Sequence, residues 1–145
     1  MTTTFKTVRL VISELGAEGD RWVTAWEEGQ RPVLHLVQQP RENTSEFANR
    51  IREALDALAE ANRIPEKAVL LTSRSSDPDS LLARYYTLRL VLSTMVRQGG
   101  GRVYLSGDRR DRLAMQSLAS TTQEMVRGTG VSVLVATSDD AVVAA

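Results

Sequence analysis

The fold of this chain turns on one stretch near its start, Thr7–Val37, TVRLVISELGAEGDRWVTAWEEGQRPVLHLV. Val8, Leu10 and Ile12 alternate with Arg9, Val11 and Ser13, the period-two pattern of a strand with one buried face. Gly16-Ala17-Glu18-Gly19-Asp20 is turn chemistry. Arg21–Glu28 alternates again around Trp22, Thr24 and Trp26. Gly29-Gln30-Arg31-Pro32 then breaks the chain, and Val33–Val37 resumes as an apolar strand. Read in this way, the stretch is three strands joined by links too short for a crossover, an antiparallel meander.

Beyond Val37 the rhythm changes. Asn43 and Glu46 have the spacing of a helix cap and its answering acidic residue. Phe47, Ile51, Ala54, Leu55 and Leu58 follow at helical spacing, a single apolar stripe. Pro65 ends that segment, and Ala68–Leu71 is a short apolar run of the kind an interior strand shows. Asp77-Pro78 opens a second helix, with Asp as cap and Pro at the first helical position. It runs to about Gln98 and stops at Gly99-Gly100-Gly101. Val103–Leu105 is a strand, Asp108 caps a third helix carrying Ala114, Leu118, Met125 and Val126, and Gly128 stops it. Val131–Ala136 is the last strand.

The expected order is β-β-β-α-β-α-β-α-β. Late strands that each follow a helix should lie parallel through right-handed crossovers, and the meander should add antiparallel strands to the same sheet. The fold class is therefore α/β, a three-layer sandwich with a mixed sheet. One domain spans residues 1–145, with 1–4 and 138–145 as flexible ends.

Composition narrows function by exclusion. Eighteen Lys+Arg balance eighteen Asp+Glu, and aromatics make up 5%. A neutral chain without basic residues interleaved among aromatics offers nucleic acid neither a field nor a stacking surface. There is no cysteine, which removes disulfides, thiol catalysis and thiolate metal sites. No apolar run approaches the roughly 20 residues of a membrane helix, and the N-terminus has no apolar signal region. The expectation is a cytoplasmic protein with no nucleic-acid or membrane partner, no metal and no resident cofactor.

In open α/β sheets ligands gather beyond the carboxyl ends of the strands. Two such ends carry hydroxyls and arginine ahead of a helix. They supply Ser73, Arg74 and Ser76 after one strand, and Ser106, Asp108 and Arg109 after the next. A helix start offers free N–H groups to phosphate or carboxylate, and Arg74 or Arg109 would add a bidentate clamp. The same residue types serve any helix start as caps, and neither loop carries GxxxxGK[ST] or GxGxxG. His35, the one histidine, sits mid-strand, where a packing role outweighs a catalytic one.

Three resemblances bear on this pattern. A meander followed by alternating helices and strands is similar in order to ribonuclease-H-like nucleases, which implies an acidic residue within the first strand; Thr7–Ser13 has none. Pro32–Ser73, with its helix EFANRIREALDALAE and strand AVLLTS, resembles the opening unit of crotonase-type acyl-CoA enzymes. Ser73–Asp79 replaces the glycine-rich oxyanion segment that this family implies. The strand–helix alternation also resembles STAS-type regulatory domains, which implies a phosphorylatable serine near Ser76 or Ser80, in flanks that differ here. These likenesses assign no family.

The segment Asp79–Gln98 is apolar over an unusual width. Leu81, Tyr85, Leu88, Leu92 and Met95 form one face, and Leu82, Tyr86, Leu90 and Val91 extend it. Such a helix is either covered on several sides or meets another subunit. The leading expectation is thus a non-catalytic domain acting through protein contacts, as a homodimer built on helix 79–98. The alternative is a binder of, or enzyme on, a small anionic ligand, phosphate- or CoA-bearing, at the Ser/Arg/Asp loops.

Overall fold

A computed structural model describes residues 6–13, 17–28, 32–71, 78–106 and 112–136. The elements run β1 (Lys6–Ser13), α1 (Ala17–Glu28), β2 (Val33–Val37), α2 (Thr44–Glu60), β3 (Arg63–Leu71), α3 (Pro78–Gln98), β4 (Gly101–Ser106), α4 (Arg112–Met125) and β5 (Val131–Ala136). The five strands form one sheet in the order β2-β1-β3-β4-β5, and every pairing is parallel. The ends at 1–4 and 138–145, expected to be flexible, lie outside the described residues, as do the caps expected at Asp77 and Asp108.

The expected antiparallel meander, and with it the mixed sheet, is overturned. Arg21–Glu28 is not a strand but the body of α1, and Ala17–Asp20, expected as a turn, is its first turn. Trp22 and Trp26 are indeed both fully buried, but residues four apart share a side in a strand and in a helix alike. Thr24 separates the two readings. A strand would bury it between the tryptophans, whereas here it is exposed. A 12-residue helix gives the chain the crossover that parallel pairing of β1 and β2 needs.

The α/β layering stands. One face of the sheet packs Val8, Leu10 and Leu70 against Ile51 and Leu55 of α2, Leu88 and Met95 of α3, and Met115 of α4. On the other face α1 lays Trp22 and Trp26 over Val11, Val69 and Tyr104. The two indoles meet edge to face at 5.4 Å, a favoured aromatic geometry. The buried Arg9 guanidinium lies 5.4 Å from the Trp26 ring centroid.

Local signals explain α2. Asn43 Oδ1 accepts a hydrogen bond from the Glu46 amide at 2.8 Å, as the spacing requires, and Phe47, Ile51, Leu55 and Leu58 are buried. Pro65 departs from expectation, because α2 has already ended at Glu60 and the proline is buried inside β3. Proline is tolerated in a sheet at a bulge or where a ladder partner is missing. Both conditions hold: β4 pairs with β3 only from Lys67 onward, and the β1–β3 register jumps from Val8↔Pro65 to Arg9↔Lys67. Glu66, the extra residue, reaches Arg9 Nε at 3.4 Å.

The width of α3 is largely core. Leu88, Val91, Leu92 and Met95 are buried, while Tyr86 is 53% exposed and marks the outer side. On α4 the buried positions are Met115, Ala119 and Thr122; Met125, expected on the inner stripe, points outward.

Candidate functional site

The strand order locates a topological switch point between β1 and β3, the place where open α/β sheets leave a crevice. From β1 the chain turns one way, through α1, to β2; from β3 it turns the other way, through α3, to β4. Helices leaving neighbouring strands on opposite faces part at the carboxyl ends of β1 and β3, where doubly wound sheets with this order hold ligands.

At the β1 side of the crevice, Ser13 is the last strand residue and is buried. Its Oγ lies 2.8 Å from Nε2 of His35, which belongs to β2 and pairs in register with Val11. Gly19, in the first turns of α1, closes over this pair. A Cβ at Gly19 would come within 2.8 Å of both Ser13 Oγ and His35 Nε2. Glycine is thus required here by the close approach of helix to strand. That is the task of the third glycine in G-x-G-x-x-G, and the sequence Glu14-Leu15-Gly16-Ala17-Glu18-Gly19 supplies the second and third glycines, with Glu14 where the first would stand. The same glycines also fit a turn, so the spacing alone does not separate the two.

His35 therefore packs against Ser13 and Gly19, as expected of a strand histidine. Among the described residues no carboxylate bonds its other ring nitrogen.

The end of β2 is fixed by an ion pair. Arg50 of α2 donates from Nε and Nη2 to the Glu42 carboxylate at 2.6 and 2.8 Å, and from Nη2 to the Val37 carbonyl at 2.5 Å. Glu42 also accepts from the Gln39 amide at 3.1 Å. The Arg50 hydrogen bond is the main force holding the Glu42 carboxyl below the usual carboxylate range; partial burial opposes it and the Gln39 amide assists. Three groups on one carboxylate hold the segment 38–42 at the rim of the sheet.

Of the residues expected to bind ligand, Ser106 is the last residue of β4, fully buried. Its register partner is Leu71, the last residue of β3, so the chain leaves these two strands at adjacent points. Ser73, Arg74, Ser76, Asp108 and Arg109 lie outside the described residues. Among the described residues, no group of three His, Asp or Glu is placed to hold a metal ion, and no helix is long and apolar enough to cross a membrane.

No family model matches the chain, and a search of curated proteins finds no match in sequence. Among solved structures the chain is similar to BdcA (YjgI) from E. coli, with a TM-score of 0.60 and 14% identity over 96% of this chain and 86% of that one. At this identity the likeness is one of fold, a parallel α/β sheet with the same broad path.

Proposed function

We propose that this protein binds a small phosphate-bearing ligand at the carboxyl edge of the sheet, in the crevice between β1 and β3. The observation that carries this reading is the reversal of strand order at β1, joined to the close fit of α1 over Ser13 through Gly19. The start of α1 thus lies close to the carboxyl end of β1, and a helix start offers N–H groups to phosphate. Arg74 and Arg109 follow the adjacent strands β3 and β4 in sequence and are the cations assigned to the ligand. A cytoplasmic location belongs to the same proposal, since a cysteine-free chain suits a reducing compartment.

The test is a thermal-shift screen with flavin mononucleotide, nicotinamide dinucleotides, ATP and coenzyme A esters. A ligand at about ten times its Kd adds roughly 1.4 kcal/mol, a rise of about 4 °C for a domain of this size. Arg74→Ala or Arg109→Ala should abolish the rise. A flat response to every ligand at about 1 mM would mean dissociation constants no tighter than this and would retire the proposal.

A second reading, a homodimer through α3, is favoured by one observation. Tyr86 and Val96 on this helix are 53% and 39% exposed. Tyrosine is enriched at interface cores, and a two-fold contact would bury these side chains against their copies. Tyr86→Glu should then yield a folded monomer from a wild-type dimer by light scattering. A wild-type monomer at high micromolar concentration would remove this reading.

A further inference from the structure

At the opposite edge of the sheet, away from the crevice, a groove of about 400 Å³ lies between the C-terminal ends of α2 and α3 and the start of β3. This volume is within the range of small-molecule sites. Its apolar lining is Leu55, Ala59, Ile64 and Pro65, and its charged lining is Asp56, Arg63 and Arg97.

Among the described residues Asp56 forms no salt bridge with either arginine, although all three line the same groove. Arginines near helix C-termini often serve to offset the negative end of the dipole by bonding helix carbonyls. Arg97 does so in part, donating from Nε to Ser93 O at 3.4 Å. Arg63 makes no such bond among the described residues. The helix ends are closed without it, by Ala61 N on Ala57 O, Asn62 N on Ala59 O, and Gly99 N and Gly100 N on Met95 O.

Asp56 and Gln98 line the same groove. Gln98 commits its Nε2 to Pro65 O and Gly100 O, both at 2.8 Å, which leaves its Oε1 to accept. That oxygen and the Asp56 carboxylate suit an ammonium, while the two guanidiniums suit a carboxylate.

We infer that this groove binds a small zwitterion with an apolar body, the chemistry of an apolar α-amino acid. The carboxylate lies toward Arg63 and Arg97, the ammonium toward Asp56 and Gln98, and the side chain on Ile64 and Ala59, the apolar lining residues with exposed surface.

The test is calorimetric titration of the full chain, with amide shifts recorded in parallel, using L-leucine, L-methionine and L-phenylalanine. Two truncated analogues of leucine, 4-methylpentanoate and 3-methylbutylamine, each lack one charge. At least one amino acid should bind with a millimolar Kd, with shifts confined to the ends of α2 and α3 and the start of β3. Both leucine analogues should bind at least about tenfold more weakly than leucine. Arg63→Gln and Asp56→Asn alter exposed side chains, so their melts should match wild type while the affinity falls about tenfold. The inference is overturned by silence from all three amino acids at about 10 mM, or by shifts centred elsewhere. Equal binding of 4-methylpentanoate, which would mark a site for simple anions, overturns it as well. The analogue comparison decides even if a variant is misfolded, and none of these outcomes touches the crevice at the other edge.

Discussion

β5 closes the sheet with the sequence VSVLVA, an edge strand without a charge or a proline, the kind that invites pairing with another chain. Gln123 of α4 occupies part of that edge. Its Nε2 donates to Val131 O at 3.1 Å and its Oε1 accepts from Val133 N at 2.8 Å. One side-chain amide thus takes the place that the N–H and C=O of one residue of a neighbouring parallel strand would fill. Gln123→Leu keeps the length and the helix propensity of the side chain but removes both bonds. Two hydrogen bonds at about 0.5–1.5 kcal/mol each give a loss of about 1–3 kcal/mol. The upper part of that range applies here, because an apolar side chain keeps water from the abandoned groups. Against a total stability of roughly 5–15 kcal/mol such a loss is easily read in urea denaturation, with the slope unchanged. The freed edge should also cause concentration-dependent light scattering absent from wild type. Gln123→Glu, which retains an acceptor for Val133 N but turns a carboxylate on Val131 O, should also be destabilised. If Gln123→Leu loses less than about 0.5 kcal/mol and stays monodisperse, the amide is not guarding the edge.

Gly19→Ala should destabilise the protein although alanine is the better helix former. Overpacking against Ser13 and His35 costs about 1–3 kcal/mol, more than the roughly 1 kcal/mol of helix propensity gained; removing the Ser13 hydroxyl in a Ser13→Ala background should recover part of the loss. Because Glu42 titrates below the usual carboxylate range when folded, its ion pair adds stability that is fully present above the unfolded pKa and lost as pH falls through the folded one. A urea midpoint series against pH should therefore decline more gently on acidification in Glu42→Gln than in wild type, and parallel curves would remove Glu42 from the acid response.

The elements whose signals are local were legible in the sequence. The Asn43 cap, the stripe of α2 and the apolar runs of β1, β2 and β5 depend on residues within one or two turns of each other, and the structure forms all of these elements, although β1, expected to bury one face, buries Arg9, Val11 and Ser13 on the other as well. Proline at the head of α3 belongs with them. Parallel pairing from β3 onward followed from the alternation of helices and strands, because a crossover leaves few other outcomes.

The N-terminal third was decided elsewhere. Trp22 and Trp26 satisfy a strand and a helix equally, since four residues make two strand repeats and about one helical turn. Only the surroundings of Thr24, open to solvent while the tryptophans face Val69 and Tyr104, distinguish them. That choice reverses the direction of β2, turns a mixed sheet into a parallel one and creates the crevice between β1 and β3. Gly19 follows the same logic: a glycine in a chain looks like a turn until the strand beneath it, with Ser13 and His35, shows that there is no space for a methyl group. Pro65 looked like a helix stop for the same reason, because the bulge and the late start of β4 that admit it belong to neighbouring strands. Periodicity picked out the buried stripe of α2 and the inner side of β1 but not Arg9, Val11 and Ser13, which α1 buries on the second face of β1, because periodicity reports a residue's own side of the chain and only packing supplies the other side.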